Sequence, residues 1–249
     1  MSGRRPLTAF ACLALALALI GPGRASPLVA DLSKHLIAIT TAFAGSDVLL
    51  FGAVDEPGDI VVVVRGPLRS LVMHRKSRIA GIWVNTATMT FDDVPSFFAV
   101  AASGPLEEIT SESVRERNNM EVGSLIALPD AKASENVAAE WEAALIRNKQ
   151  REGLYQAELG RVSFSGPQLF RSDVYFPANV PTGNYQIQVY LLRDGKVISA
   201  QTTPLIIGKI GLEADIFDFA HNQAAFYGLI AIALALLAGW LAHVAFRRA

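Results

Sequence analysis

Thiols are nearly absent from this chain. One cysteine, Cys12, occurs in 249 residues, and it lies in an apolar stretch near the N-terminus. From residue 26 onward there is no disulfide framework, no cysteine nucleophile and no thiolate zinc site. Histidine is scarce too. The four present (His35, His74, His221 and His243) show no His-x-His or His-Glu-x-x-His spacing for a metal. Gly-x-Ser-x-Gly and Ser-x-x-Lys are missing, as are a Walker loop and a Gly-x-Gly-x-x-Gly turn in the body. The expectation is a non-enzymatic protein with no catalytic residues and no cofactor.

What the chain has in excess is apolar sequence at its two ends. Ala224–Phe246 is a run of 23 residues without an acid, Lys or Arg, followed by Arg247 and Arg248. At about 1.5 Å per residue such a helix reaches roughly 34 Å, enough to cross a hydrocarbon core of about 30 Å. At the other end, Arg4 and Arg5 precede the apolar run Leu7–Ile20, and Gly23-Arg24-Ala25 offers small residues for cleavage before Ser26. Residues 1–25 therefore read as a signal peptide. An uncleaved anchor is the alternative, but the run is short and Gly21-Pro22-Gly23 breaks it. Cys12 has no lipoprotein context.

Charge sets the orientation. Arg247 and Arg248 follow the span, whereas Glu213, Asp215 and Asp218 precede it, so the body is expected outside and the tail, 247–249, in the cytoplasm. Tyr227 and Trp240 sit near the two ends of the span, where amphipathic rings favour the headgroup level. Five of the 22 basic residues (Arg4, Arg5, Arg24, Arg247, Arg248) and none of the 23 acidic ones lie outside the body, which leaves it 17 against 23, a net of −6. Such a body is a poor nucleic-acid binder. The positive mean hydropathy describes the ends of the chain.

Between the ends, short strands with turn punctuation dominate. His35–Thr41 alternates weakly. Val48–Val54 leads through Asp55-Glu56-Pro57-Gly58-Asp59 into Ile60–Val64, with the look of a hairpin. Ile60–Val64 is apolar on both faces and is expected to be a covered, central strand. Leu71–Lys76 follows. Leu169–Phe176 precedes a stretch rich in Pro and Gly. Tyr185, Ile187, Val189 and Leu191 then alternate, Asp194-Gly195 signals a type I′ turn, and Val197–Ile207 returns with Pro204 suiting an edge. This order predicts a mainly β, immunoglobulin-like sandwich, with Tyr185 at the corner where such folds place a tyrosine. The sandwich is drawn from about 32–77 and 169–210 within a body of 26–222, with 78–168 inserted; two small domains are the rival reading. In the insertion, Ser134–Arg151 carries Val137, Ala138, Trp141, Ala144 and Leu145 on one helical face. Gly104-Pro105 opens a poorer helix reaching Arg117.

Candidate sites are few. Met73-His74 with Met89 or Met120 has the soft donors that copper takes, against the plainer reading of core methionines beside a strand histidine. Asp55, Glu56 and Asp59 crowd one turn and have oxygen ligands for calcium, but turns favour Asp for backbone reasons. Arg65, Arg69, His74, Arg75, Lys76 and Arg78 form a basic stretch without an acid. It suits an anionic headgroup, an oxyanion or an acidic partner, or a strand edge kept soluble by charge. In the span, Ala231, Ala235 and Gly239 recur every four residues, a spacing that permits a close helix partner.

LFRSDVYFPANVPTGNYQIQVYLLRDGKVISAQTTPL, then KIGLEADIFDFA and FYGLIAIALALLAGW, with DLSKHLIAIT, FAGSDVLLFGA, DIVVVVRGP and GIWVN upstream, resembles the alphaproteobacterial transmembrane protein family Alph_Pro_TM. The resemblance spans nearly the whole chain after residue 26. It implies a bacterial inner-membrane protein with its body in the periplasm and no assigned catalytic residues. Proximity to sulfite-exporter-type permeases in this family implies a polytopic permease as partner, beside the lipid bilayer. The expected role is an accessory module for that partner, with an oxyanion- or copper-binding module as the alternative.

Overall fold

A computed structural model describes residues 27–126, 135–210 and 219–247. The expected signal peptide, the acids 213, 215 and 218, and Arg248 lie outside these residues.

Among the described residues eleven strands account for about half of the body: β1 (Leu28–Leu32), β2 (Leu36–Ile39), β3 (Gly45–Val54), β4 (Asp59–Arg65), β5 (Leu68–Ile79), β6 (Ile82–Pro95), β7 (Phe98–Ala102), β8 (Gly160–Ser165), β9 (Leu169–Pro177), β10 (Gly183–Arg193) and β11 (Lys196–Lys209). Nine of them form one curled sheet in the order β1-β3-β9-β8-β7-β4-β10-β11-β2. The sheet bends at β8, which meets β7 in parallel through only Ala101↔Gly160 and Ala102↔Arg161. Its two halves thereby face each other. The far ends are laced by a side chain: Gln201 donates to the Ala30 carbonyl oxygen at 2.6 Å and accepts from the Ala30 amide at 2.9 Å.

The core lies between the halves. Ile60–Val64 is buried on both faces and pairs on one side with β7 and on the other with β10. That is the environment a run of β-branched residues demands, because it has no polar face to give to water. Phe97, Phe176 and Tyr185 meet as an aromatic cluster, with ring centroids 5.1 to 5.9 Å apart. The Asp194-Gly195 turn has φ of 49° and 71°, the positive values a type I′ turn needs. Pro204 is accommodated because β2 covers β11 only over residues 206–209, so β11 lacks a strand neighbour on that side at residue 204.

Three expectations change. β3 and β4 are not a hairpin: β3 pairs with β1 and β9, β4 with β7 and β10. The turn between them crosses from one half of the sheet to the other, held where Arg193 donates to the Pro57 carbonyl oxygen and pairs with Glu56 at 2.7 Å. Residues 78–168 supply two strands of the sheet, β7 and β8. Conversely Leu71–Lys76 lies outside it, in a two-stranded β5–β6 hairpin that leaves the sheet after Gly66-Pro67.

The helical stretch holds α1 (Leu106–Ile109), α2 (Glu112–Arg117) and α3 (Glu135–Arg151), with a 3₁₀ turn at Gly123–Leu125. The expected single helix up to Arg117 is broken at Thr110, whose extended backbone ends α1. Trp141 and Leu145 of α3 bury against Phe91, Val94 and Ile126, forming a second core under the hairpin. The final helix, α4 (Ala224–Phe246), has no buried residue.

Candidate functional site

Strand alternation divides the basic stretch. Arg65, at the end of β4, donates to the Asn118 and Asn119 carbonyl oxygens at 2.8 and 3.2 Å. The Tyr190 hydroxyl donates to Gln188 Oε1 at 2.9 Å and lies 3.3 Å from the Asn118 carbonyl oxygen. Arg65 thus ties the sheet to the C-terminus of α2. Arg69 donates to the Thr182 carbonyl oxygen at 3.0 Å and fastens the hairpin's base to the start of β10. Beyond it, successive side chains of β5 point to opposite faces. Leu71, Met73 and Arg75 lie on the half-buried face toward α3, while Val72, His74, Lys76 and Arg78 are the exposed positions, His74 and Lys76 also reaching the rim of the clefts beside α3.

On the inner face Arg75 is fixed twice. It pairs with Glu140 of α3 at 2.7 Å and lies over the Trp141 ring, 5.1 Å from its centroid. Beside this contact a shallow cleft of about 310 Å³ opens between β5 and α3, with Arg147 and Arg151 on its helical wall. No sequence pattern marked either arginine for the cleft; Arg151 sits in the last turn of α3, where a cation suits the helix dipole. A neighbouring cleft of about 320 Å³ takes Lys76, Lys149 and Glu152. The arrangement can hold a small anion by charge, on a wall that is open to water.

The other candidate sets separate. Met73 and Met89 face each other across the hairpin, but Met120 is buried in the main core. His74 lies on the opposite face from Met73 and is hydrogen-bonded to Thr88 at 3.0 Å. Glu56 is committed to Arg193, and Asp59 accepts from Ser103 at 2.9 Å, so the turn carboxylates diverge. Among the described residues no group of three metal-ligating side chains converges. Titration shifts fall on three buried tyrosines of the scaffold and on the half-buried Glu142. Burial pushes the Tyr185 hydroxyl up to about 12, against smaller opposing pulls from Ser96 and then Arg69. It raises Tyr155 and Tyr190 as well, and the Glu142 carboxyl of α3 above its usual range.

Ala231, Ala235 and Gly239 lie along α4, which has no acid, Lys or Arg over its 23 residues and exposes all its large apolar side chains. α4 is long and apolar enough to cross a membrane. The sequence profile of Alph_Pro_TM, "Putative transmembrane protein", matches residues 27–248. The chain belongs to this family. No curated protein and no solved structure matches it. For an Alph_Pro_TM protein, the exposed α4 is the element that a bilayer would cover.

Proposed function

We propose that this Alph_Pro_TM protein is a membrane-anchored accessory module. Its β-rich body, of immunoglobulin-like plan, stands on the periplasmic side of the inner membrane and acts with a polytopic partner of the sulfite-exporter permease type. The observation that carries this reading is the unburied α4, whose small-residue face is open to a second helix in the bilayer. The β1-β3-β9-β8 and β7-β4-β10-β11-β2 halves, with Tyr185 bonded back across its corner, support the sandwich plan. Such sandwiches commonly serve as binding scaffolds. Crosslinking in native membranes followed by mild detergent extraction tests the reading. Recovery of a polytopic protein with this chain is expected, and recovery of the chain alone overturns it.

A second reading, a module that binds a small oxyanion, is supported by the β5–α3 cleft with Arg75, Arg147 and Arg151. Calorimetric titration of the full chain with sulfite and sulfate separates it from the first. A flat titration removes it.

A further inference from the structure

The β5–β6 hairpin ends in a tip that a soluble surface does not favour. Ile79 and Ile82 flank the Ala80-Gly81 turn, and Trp83 follows. Their exposures are 54%, 65% and 68%, among the highest for large apolar side chains of the body. Scattered exposed apolar residues need no explanation, but three gathered around one tip, Ile79 and Ile82 on one face and Trp83 on the other, do. Directly behind them on the exposed face stand Arg78, which is paired across the hairpin with Trp83, then Lys76 and His74. From Ile60 to Phe91 there is no acidic residue, although the body as a whole is acidic. The hairpin is an apolar, tryptophan-bearing point with a basic collar.

Topology says from which end of the body this hairpin departs. β4 and β11 both pair antiparallel with β10, so they run in the same direction and finish at the same end of the sheet. Gln186 pairs with Arg65 on one side and with Pro204 on the other. The hairpin departs after β4, and the chain departs toward α4 after β11. Between Lys209 and Ala224 lie 14 residues, at most about 50 Å of chain. A strand of 12 residues such as β5 extends up to about 40 Å. Hairpin and anchor therefore leave one end of the body, and the hairpin is long enough to reach the surface that holds the anchor.

We propose that the β5–β6 hairpin docks on the bilayer that α4 crosses. Ile79, Ile82 and Trp83 enter the interfacial layer, and Lys76 and Arg78 bind anionic phospholipid headgroups. Tryptophan favours this depth because its ring is amphipathic. Each basic residue near an anionic surface strengthens binding about fivefold. The docking gives the body a second point of attachment, and it stands whether or not a permease partner exists.

The test uses the full chain with Cys12→Ala, reconstituted into phosphatidylcholine vesicles with and without phosphatidylglycerol. An environment-sensitive fluorophore is placed at Ile82→Cys or, at the opposite end of the sheet, at Lys196→Cys. The expected result is blue-shifted emission at 82, quenched by shallow spin-labelled lipid and stronger with phosphatidylglycerol, while the label at 196 emits as in water. Lys76→Glu with Arg78→Glu is expected to weaken docking roughly thirtyfold or more, with thermal unfolding nearly unchanged because both side chains are exposed and Arg78 gives up only an exposed hydrogen bond to the Gly81 carbonyl oxygen. Water-like emission at 82, or emission independent of phosphatidylglycerol, overturns the proposal. So does a shift that appears only when a second membrane protein is reconstituted with the chain, which would make the tip a protein contact. None of these results bears on the co-purification experiment, so the two readings fail separately.

Discussion

The Tyr185 hydroxyl donates to the carbonyl oxygen of Pro181, four residues upstream, at 2.6 Å. The ring is fully buried against Phe97 and Phe176, so the phenol both fills the core and closes the corner before β10. A carbonyl left without its donor there loses about 1–2 kcal/mol. Tyr185→Phe is expected to lower the melting temperature by roughly 2–8 °C, measured by circular dichroism on the detergent-solubilised chain.

Alkaline pH acts on the same ring. Its folded-state pKa, about 12, lies above the ordinary 10 because burial disfavours the phenolate. A raised pKa of this kind holds its full stabilisation below pH 10 and loses it as pH climbs from 10 through 12. Tyr155 adds to the loss in the same direction. The tyrosinate absorbance of Tyr185 and Tyr155 is expected to rise together with unfolding. Ionisation of these two phenols while the fold persists would contradict this.

Trp141 is the rivet between α3 and the hairpin. It is buried beneath Phe91 and carries the Arg75 guanidinium on its ring. Trp141→Ala is expected to cost about 3–5 kcal/mol locally, read as faster amide exchange in 68–95 and 137–151 with β10 unaffected. Glu140→Gln breaks only a solvent-exposed pair and is expected to cost less than about 1 kcal/mol.

Gly52 marks a tight crossing between β1 and β9. A Cβ there would stand 2.5 Å from the Val29 carbonyl oxygen and press on the Phe170 ring. Gly52→Ala is expected to destabilise by about 1–3 kcal/mol, seen as a lower urea midpoint. Gly195→Ala has open space around its Cβ but φ of 71°, so its cost of about 1 kcal/mol comes from backbone strain alone.

Much of the fold was legible where a local pattern and the tertiary structure agree. Tyr185 to Leu191 alternates because one face of β10 meets the core, and Asp194-Gly195 supplies its own turn. The β3–β4 connection misled because a turn of Asp, Pro and Gly looks the same whether it joins neighbours or crosses between halves of a sheet. Phe98–Ala102 escaped because a five-residue apolar run has no period by which strand and buried helix differ. The basic stretch was visible as composition, but its division was not: Arg65 and Arg69 are spent on carbonyl oxygens, and Arg75 on α3. The approach of Arg147 and Arg151 to β5 depends on how α3 packs, for which their spacing carries no signal.

The parallel pairing of β2 with β11 has a consequence in time. Leu36 meets Ile206, and Ala30 meets Gln201 from 171 positions away. Closing so long a loop is slow compared with forming a hairpin. During synthesis neither contact can exist until nearly all of the body has been made, and the segment that completes them comes just before α4. The body therefore finishes folding as its anchor arrives, and a chain stalled before residue 200 would hold open edges rather than a closed core.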